Sequence, residues 1–308
     1  MTIDSTIARP DHEQRNLIEH LAHRLSLRQF IFAIVLAFFL ISILFPFYWM
    51  VSSSFKSYAE IGGREPVYIP GALRLDAYRE LFDPAHESFQ RFAKNMLNTL
   101  IISVPTALIA VILSIMGAYA VTRMRFRGRD AMLNSILLVY LFPGILLIIP
   151  LFAMLAQIGA RLGFEVRDNL AVLMFTYLAQ TLPVALYMLA NYFRTIPHEI
   201  EQAGLIDGCT RLSVIWKITI PLAVPAIVSV FIYTFMIAWN EYLYAFVFLN
   251  DRSMFTMPIA INTIFNDPQP RPHVVMAAST IMTLPVIVLF LALERYLAEG
   301  LAAGGVKG

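Results

Sequence analysis

The polar segment 194–222 has the clearest functional pattern in this sequence. Glu199 and Glu201 stand where the first turn of a helix would begin after a proline, and carboxylates are favoured at the positive N-terminal end of a helix. Gly208 follows as a stop signal, and a second amphipathic stretch, 212–220, comes after it. These features predict a helix–turn–helix. Its chemistry would be the non-covalent docking of a soluble partner rather than catalysis.

The first of these predicted helices is expected to have two different faces. At helical spacing, Ile200, Ala203 and Gly204 fall on one face. Asp207 precedes the glycine at the predicted stop. The alternative interpretation is an ordinary amphipathic link between two longer helices, without a docking role.

Other kinds of reactive site have no counterpart in the sequence. It has no G-x-x-x-x-G-K-[ST] phosphate-binding loop, and its six histidines form no HExxH or HxH pair. The single cysteine, Cys209, excludes an intrachain disulfide and a cysteine-based zinc cluster. The net charge of +2, without a long basic run, gives no reason to expect a nucleic acid partner. We therefore predict that this chain is not an enzyme and holds no cofactor or metal.

The composition indicates that lipid is the solvent. The 308 residues are 58% hydrophobic and 14% charged, whereas soluble domains carry about 25% charged residues. A helix needs about 20 mostly apolar residues to cross the hydrocarbon core of a bilayer. Six stretches without Lys or Arg meet this requirement: 30–52, 100–121, 133–158, 170–192, 223–248 and 274–293. The predicted fold class is an all-α integral membrane protein with about six transmembrane helices.

Charge in the short links sets the predicted orientation. The link 122–131 holds four arginines, whereas the link 159–169 holds two arginines that are offset by two acids. Because Lys and Arg concentrate on the cytoplasmic side of membranes, the Arg-rich link and both termini are expected in the cytoplasm. The same arginines could also bind anionic membrane lipid.

This orientation divides the chain into three parts. Residues 1–29 are expected to form a cytoplasmic tail with an interfacial helix, because several apolar residues there fall near one helical face. Residues 30–297 form the predicted transmembrane domain, which includes the cytoplasmic segment 194–222. Residues 298–308 form a glycine-rich cytoplasmic tail.

A polar group is expected inside the fifth predicted helix. Trp239, Asn240 and Glu241 stand within the apolar stretch, where a carboxylate is costly unless it faces protein or water. They could line a solute path, form a hydrogen-bonded network between helices, or face a wet vestibule near the interface.

The polar segment resembles the EAA loop of ABC importer permeases, which reads E-A-A, three residues, G, nine residues and I-x-L-P. At the same spacing this sequence has Gln202, Ala203 and Gly204, then Gly208, and then Ile218, Thr219, Ile220 and Pro221. Three of these residues depart from the pattern, namely Gln202, Gly204 and Ile220. The resemblance extends over nearly the whole chain from residue 30 onward.

Further motifs resemble the sugar-importing branch of that family. Glu201 stands where this branch often has an additional acid, and Ile206-Asp207-Gly208 matches its I-D-G. Trp239-Asn240-Glu241 is also similar to that branch. The C-terminus is similar to the tail of maltose-type sugar permeases, which in that family reaches the ATPase interface, and its residues here are Gly304, Gly305, Val306, Lys307 and Gly308.

The resemblance implies a type I ABC importer permease in the cytoplasmic (inner) membrane of a bacterium. A second, related permease chain would complete the pore as a heterodimer. Two ATPase subunits, which would bind ATP and Mg, would dock under the loop, and an extracytoplasmic sugar-binding protein would deliver the solute. The implied coupling residues are Glu201, Gln202, Ala203, Gly204, Asp207, Gly208, Ile218 and Pro221.

The outer link 250–272 is a candidate contact with the binding protein under this resemblance, and a solvated loop otherwise. Its polar residues are Asp251, Arg252, Asn266, Asp267 and Arg271.

Two alternative functions remain open at this point. A permease of the same family could import an amino acid, a peptide or phosphate instead of a sugar. An ion-coupled secondary transporter would need ionisable groups within the membrane, and the six apolar stretches hold almost none beyond Glu241.

Overall fold

Helices form the regular secondary structure of the described part of the chain. The computed structural model describes residues 27–83, 87–129, 131–132, 135–136, 143–269 and 271–305. In chain order the helices are α1 (Leu27–Ser54), α2 (Tyr58–Gly62), α3 (Asp76–Phe82), α4 (Glu87–Arg123), α5 (Gly144–Leu162), α6 (Leu170–Phe193), α7 (His198–Ile206), α8 (Arg211–Asn240), α9 (Leu243–Phe248), α10 (Met257–Phe265) and α11 (Pro272–Gly305).

Six of these helices, α1, α4, α5, α6, α8 and α11, are long and apolar enough to cross a membrane. No strand occurs within the described ranges. The all-α membrane fold predicted from the sequence is therefore confirmed. The apolar stretches mark only the hydrocarbon-crossing part of each helix, and polar turns extend α4 and α8 beyond them.

The fifth predicted membrane helix, 223–248, is interrupted in the structure. Helix α8 ends at Asn240, and Glu241 adopts an extended conformation with φ −67° and ψ 127°. The Glu241 carboxylate accepts hydrogen bonds from the backbone N–H groups of Tyr244 (2.8 Å) and Ala245 (3.0 Å), which begin α9. The prediction of one uninterrupted helix was wrong because the apolar run continues through a break that is stabilised by a side-chain cap.

Helix α5 begins at Gly144, directly after Pro143, which has φ −62° and ψ 107°. The third predicted stretch, 133–158, treated this proline as an interior residue. Proline lacks the N–H that an interior position would use, so a helix start is its favourable place. Residues 133–134 and 137–142 of that stretch lie outside the described residues.

Helix α8 contains a short π-helical turn, Ile215–Thr219. The N–H of Ile220 donates to the carbonyl of Ile215 across this wider turn, and Pro221 follows immediately. A π-turn relieves the clash between a proline ring and the carbonyl four residues earlier. The amphipathic piece predicted at 212–220 is consequently continuous with the membrane helix that follows it.

The described residues divide into two compact units, 27–52 and 53–305. In the first unit, the large apolar side chains of α1 are mostly exposed, as suits a helix in lipid. In the second unit, α4, α6 and α8 pack together around one buried cluster that includes Ala118, Leu189 and Phe193.

A second buried cluster lies in the same unit and includes Leu173, Tyr177 and Phe248. It joins α5, α6 and α9 to the loop that follows α9, through Leu249, Met254 and Phe255. The polar segment 194–222 lies next to the first cluster, which includes Val121 near the end of α4, Phe193 at the end of α6 and Ile215 near the start of α8.

Candidate functional site

Helix α7 has the boundaries that its sequence predicts. Pro197 precedes it in an extended conformation, and the helix runs from His198 to Ile206. Gly208 follows with φ +87°, a conformation that favours glycine, and its N–H donates to the carbonyl of Leu205 at 3.1 Å. The predicted stop at Asp207 and Gly208 is therefore observed.

The face that α7 buries differs from the expected one. Glu201 is 3% exposed and Gly204 is also buried, whereas Ala203 is exposed and Ile200 is 44% exposed. A carboxylate occupies the position where an apolar residue was expected to pack. The amphipathic pattern failed here because the partner of Glu201 comes from another part of the chain.

That partner is Arg123, the last residue of α4. Its Nε lies 2.8 Å from Glu201 Oε2, and its Nη2 lies 3.1 Å from Glu201 Oε1. Thr219 Oγ1 donates to Glu201 Oε1 at 3.1 Å. The two charged side chains are only 5% and 4% exposed. This is a bidentate, charge-assisted pair, the arrangement in which an arginine–carboxylate contact is strongest.

Arg123 also caps the C-terminal end of α6. Its Nη2 donates to the carbonyls of Phe193 (2.8 Å) and Ile196 (2.9 Å). The last carbonyls of a helix lack partners within the helix, and a cation is favourable there. One guanidinium thus joins α4, α6 and α7. From the sequence alone, Arg123 contributes to the predicted topology, and only its place at the end of a helix could have suggested a further role.

Several large apolar side chains of the segment are exposed. The exposed fractions are 40% for Leu205 and 85% for Ile206 on α7, and 56% for Leu212 and 60% for Trp216 on α8. These residues, with Ile200, form what we call the docking surface. Large exposed apolar side chains in a polar segment are typical of a protein–protein contact.

The other predicted loop residues differ in exposure. Gln202, Asp207 and Pro221 are exposed, and Ile218 is half-buried against Gly204. Between the neighbouring residues Glu201 and Gln202, the one that can meet a partner is therefore Gln202.

The predicted tail is described in part. Gly304 and Gly305 continue α11 as helix. Val306, Lys307 and Gly308 lie outside the described residues, as do residues 1–26 with the predicted interfacial helix.

Trp239, Asn240 and Glu241 lie at the break between α8 and α9. Trp239 is 1% exposed and stacks on Phe235 at a ring distance of 5.3 Å. Asn240 is exposed, and its Nδ2 donates to the carbonyl of Met236. Besides the two backbone N–H groups, the Glu241 carboxylate accepts a 2.7 Å hydrogen bond from the Tyr177 hydroxyl. For Glu241, the geometry favours the network between helices over the solute path.

The loop 250–256, which follows α9, is fixed by polar side chains from two other parts of the chain. Asp168, with φ +57°, accepts the backbone N–H groups of Asn250 (2.5 Å) and Asp251 (2.7 Å). Asn98 Nδ2 donates to the carbonyls of Ser253 (3.0 Å) and Phe255 (3.1 Å). The loop is therefore anchored to α4 and to the link before α6.

Three charged residues of the link 250–272, namely Asp251, Asp267 and Arg271, have partners within the chain. Asp251 accepts the N–H of Ser253, and this hydrogen bond lowers the pKa of the Asp251 carboxyl. The N–H of Gln269, with a smaller contribution from Arg271, holds the pKa of Asp267 below its usual value. Arg271 also pairs with Glu80 on α3.

Arg252 and Asn266 differ in surroundings. Arg252 lines a cavity of about 80 Å³ together with Arg91 and Asn95 of α4. Asn266 is exposed, and its Nδ2 bonds to Asn262 one turn earlier.

The described residues contain no group of three His, Cys, Asp or Glu side chains that could hold a metal ion.

Comparison with known families gives one match over most of the chain. The family model "Binding-protein-dependent transport system inner membrane component" matches residues 110–302. This range covers α7, α8 and the docking surface.

Several curated proteins are similar over nearly their whole length. The inner membrane ABC transporter permease protein YcjP of Escherichia coli is 43% identical over 273 residues, which cover 89% of this chain and 94% of that protein. The trehalose transport system permease protein SugB of Mycobacterium tuberculosis is 33% identical over 270 residues, with 86% and 93% covered. The trehalose/maltose transport system permease protein MalG of Thermococcus litoralis is 33% identical over 266 residues, with 86% and 92% covered.

A solved structure has the same fold. A chain of a bacterial ABC transporter involved in the import of the acidic polysaccharide alginate superposes with a TM-score of 0.74 and 24% identity, covering 89% of this chain and 98% of that chain. At this identity the similarity shows the arrangement of helices alone, which is the type I importer fold that the sequence resemblance implied.

Proposed function

The chain belongs to the family of binding-protein-dependent transport system inner membrane components, and on this premise we propose that it couples ATP hydrolysis by separate subunits to the import of a sugar or sugar-like solute. As a member it is a multi-pass protein of the inner membrane and a transport subunit rather than an enzyme.

The docking surface is the observation that carries this proposal. It exposes Ile206 and Trp216 at 85% and 60%, next to the exposed Gln202. The buried Arg123–Glu201 pair bonds α7, which carries part of this surface, to the end of α4. A rigid, apolar, exposed helix pair in a polar segment presents a preformed surface to a soluble partner, and preformed surfaces lose little entropy on binding.

The proposed occupant of the docking surface is an ATPase subunit. Two such subunits would hold ATP and Mg, since the sequence has no phosphate-binding loop. We place the docking surface and both termini on the cytoplasmic side, because the Arg-rich link directly follows α4. The tail from Gly304 onward would reach the same interface.

On the outer face, the proposed partner is a solute-binding protein. The family description supports such a partner in general terms. We propose that it contacts the anchored loop 250–256 and the residues near Arg271. A second, related permease chain would complete the pore as a heterodimer.

A sugar is the favoured solute because two of the three named relatives are trehalose and trehalose/maltose permeases. Uptake of labelled trehalose by a strain carrying the complete system, compared with labelled methionine as a non-sugar probe, tests this choice. Methionine uptake without trehalose uptake would favour the alternative solute class.

Co-purification of the tagged chain in mild detergent tests the coupling function. We expect an ATPase subunit with the unmutated chain and its loss in Ile206→Asp, because a carboxylate in an apolar interface is costly. Ile69→Asp is the matched control, since Ile69 is 76% exposed but lies in the link between α2 and α3, outside the docking surface. A homo-oligomer without ATPase, under conditions that preserve ABC complexes, would contradict the proposal.

A further inference from the structure

The C-terminal end of α4 is bonded to α7, one of the two helices that carry the docking surface. Arg123, the last residue of α4, forms the bidentate pair with Glu201 of α7 and the two hydrogen bonds to the carbonyls at the end of α6. All the groups involved are buried from water. A displacement of α7 therefore has to move Arg123 or break several charge-assisted hydrogen bonds at once.

The outer part of the same helix is fastened to the outer loop. Asn98 Nδ2 donates to the carbonyls of Ser253 and Phe255, and the hydroxyl of Thr99 accepts the N–H of Met257 at 2.8 Å. Asn98 and Thr99 are 4% and 1% exposed. Their three hydrogen bonds hold the last residues of the loop and the start of α10.

Helix α4 is continuous between these two sets of hydrogen bonds. At a rise of about 1.5 Å per residue, Asn98 and Arg123 lie roughly 37 Å apart along the helix axis. Buried side chains of α4, among them Ala107, Ser114 and Ala118, keep this length packed in the protein interior.

We propose that α4 is a strut that transmits movement between the docking surface and the outer loop 250–256. Arg123 and Glu201 are the positioning residues at its inner end, and Asn98 and Thr99 are those at its outer end. This inference rests on the proposed function, because it needs a partner that moves α7. Coupling between two binding sites is reciprocal. If nucleotide binding changes the outer loop 250–256, a partner that binds this loop must therefore also change the affinity for nucleotide.

The experiment uses the complete complex, purified with its ATPase subunits and placed in lipid nanodiscs. Cys209, which is half-buried and not disulfide-bonded, is replaced by serine, and an environment-sensitive fluorophore is attached at Asn250→Cys on the exposed outer loop. The fluorescence shift on adding ATP, Mg and vanadate is then measured. We expect a clear shift with the otherwise unmutated chain.

The variant Glu201→Gln is expected to reduce this shift about fivefold or more, the usual range for loss of coupling between sites. Asn98→Ala should do the same from the outer end. The double variant should add little to either single change, since both interrupt one connection. Glu199→Gln is the control, because Glu199 is exposed on the same turn of α7.

An unaltered shift in Glu201→Gln, with a normal content of active ATPase, overturns the inference and leaves the proposed function standing. If Glu201→Gln fails to assemble, Asn98→Ala decides, because its change lies far from the docking surface. An unmutated complex whose label does not respond to nucleotide also overturns the inference. A preparation without any ATPase refutes the proposed function, and the inference with it.

Discussion

Gly204 and Ile218 meet so closely that a Cβ atom on the glycine would lie 2.5 Å from Ile218 Cδ1. This contact joins α7 to the π-helical turn of α8. The related loop pattern has alanine at this position, so the glycine is a departure that the packing explains. The isoleucine side chain occupies the space that an alanine methyl group would otherwise fill.

Gly204→Ala should be tolerated. The atom that it would meet is the far end of a flexible side chain, and alanine in a helix is favoured over glycine by about 1 kcal/mol. Gly204→Leu should instead separate α7 from α8 and abolish ATPase co-purification. Equal loss of ATPase in both variants would contradict this explanation of the packing.

Arg123→Ala and Glu201→Ala should each destabilise the chain by about 3–5 kcal/mol, because each leaves a buried charge without its partner. The double variant Arg123→Met with Glu201→Leu should cost less than the sum of the single changes. Thermal stability of the purified chain in detergent would be compared for all variants. Additive losses would mean that the pair does not act as a unit.

Gly208→Ala should reduce transport and stability, since a non-glycine residue at φ +87° costs roughly 1–2 kcal/mol. Gly62→Ala is the matched control, because no atom lies within 4 Å of its added Cβ and its φ is not positive. The comparison uses uptake by cells with equal amounts of each variant in the membrane. Equal uptake would show that the turn tolerates a side chain.

Glu241→Ala should destabilise the chain by about 1–3 kcal/mol for each group left without an acceptor, namely the N–H groups of Tyr244 and Ala245 and the Tyr177 hydroxyl. Adding Tyr177→Phe should recover part of this loss. Asn240→Ala, an exposed neighbour, should change stability by no more than about 0.5 kcal/mol. Thermal unfolding of the purified variants measures each effect.

A strong effect of Glu241→Ala on solute selectivity, with stability unchanged, would contradict the role of a structural cap. Such a result would favour the alternative interpretation from the sequence, in which Glu241 lines the solute path.

Local patterns were sufficient to predict much of this protein. The apolar stretches gave the six membrane helices, because the bilayer requires a set length of apolar residues wherever they occur in the chain. The turn at Asp207 and Gly208 was predictable for a similar reason, since a left-handed conformation is a property of one residue. The loop spacing also indicated the family to which the chain belongs.

Other features depended on contacts between distant residues. The break at Glu241 lies inside a continuous apolar run, and the cap that stabilises it draws on Tyr177 from another helix. Likewise, Arg123 and Glu201 are separated by 78 positions, and nothing in the spacing of either residue points to the other.

The sequence by itself thus determined the membrane helices, their expected orientation and the segment that we propose docks a partner. Only the tertiary structure decided which face of α7 is buried and which side chains fasten α4 at its two ends. Helix formation and membrane crossing follow from the local chain and its solvent. A buried ion pair forms only where the packing of α4, α6 and α7 brings both charges together and excludes water.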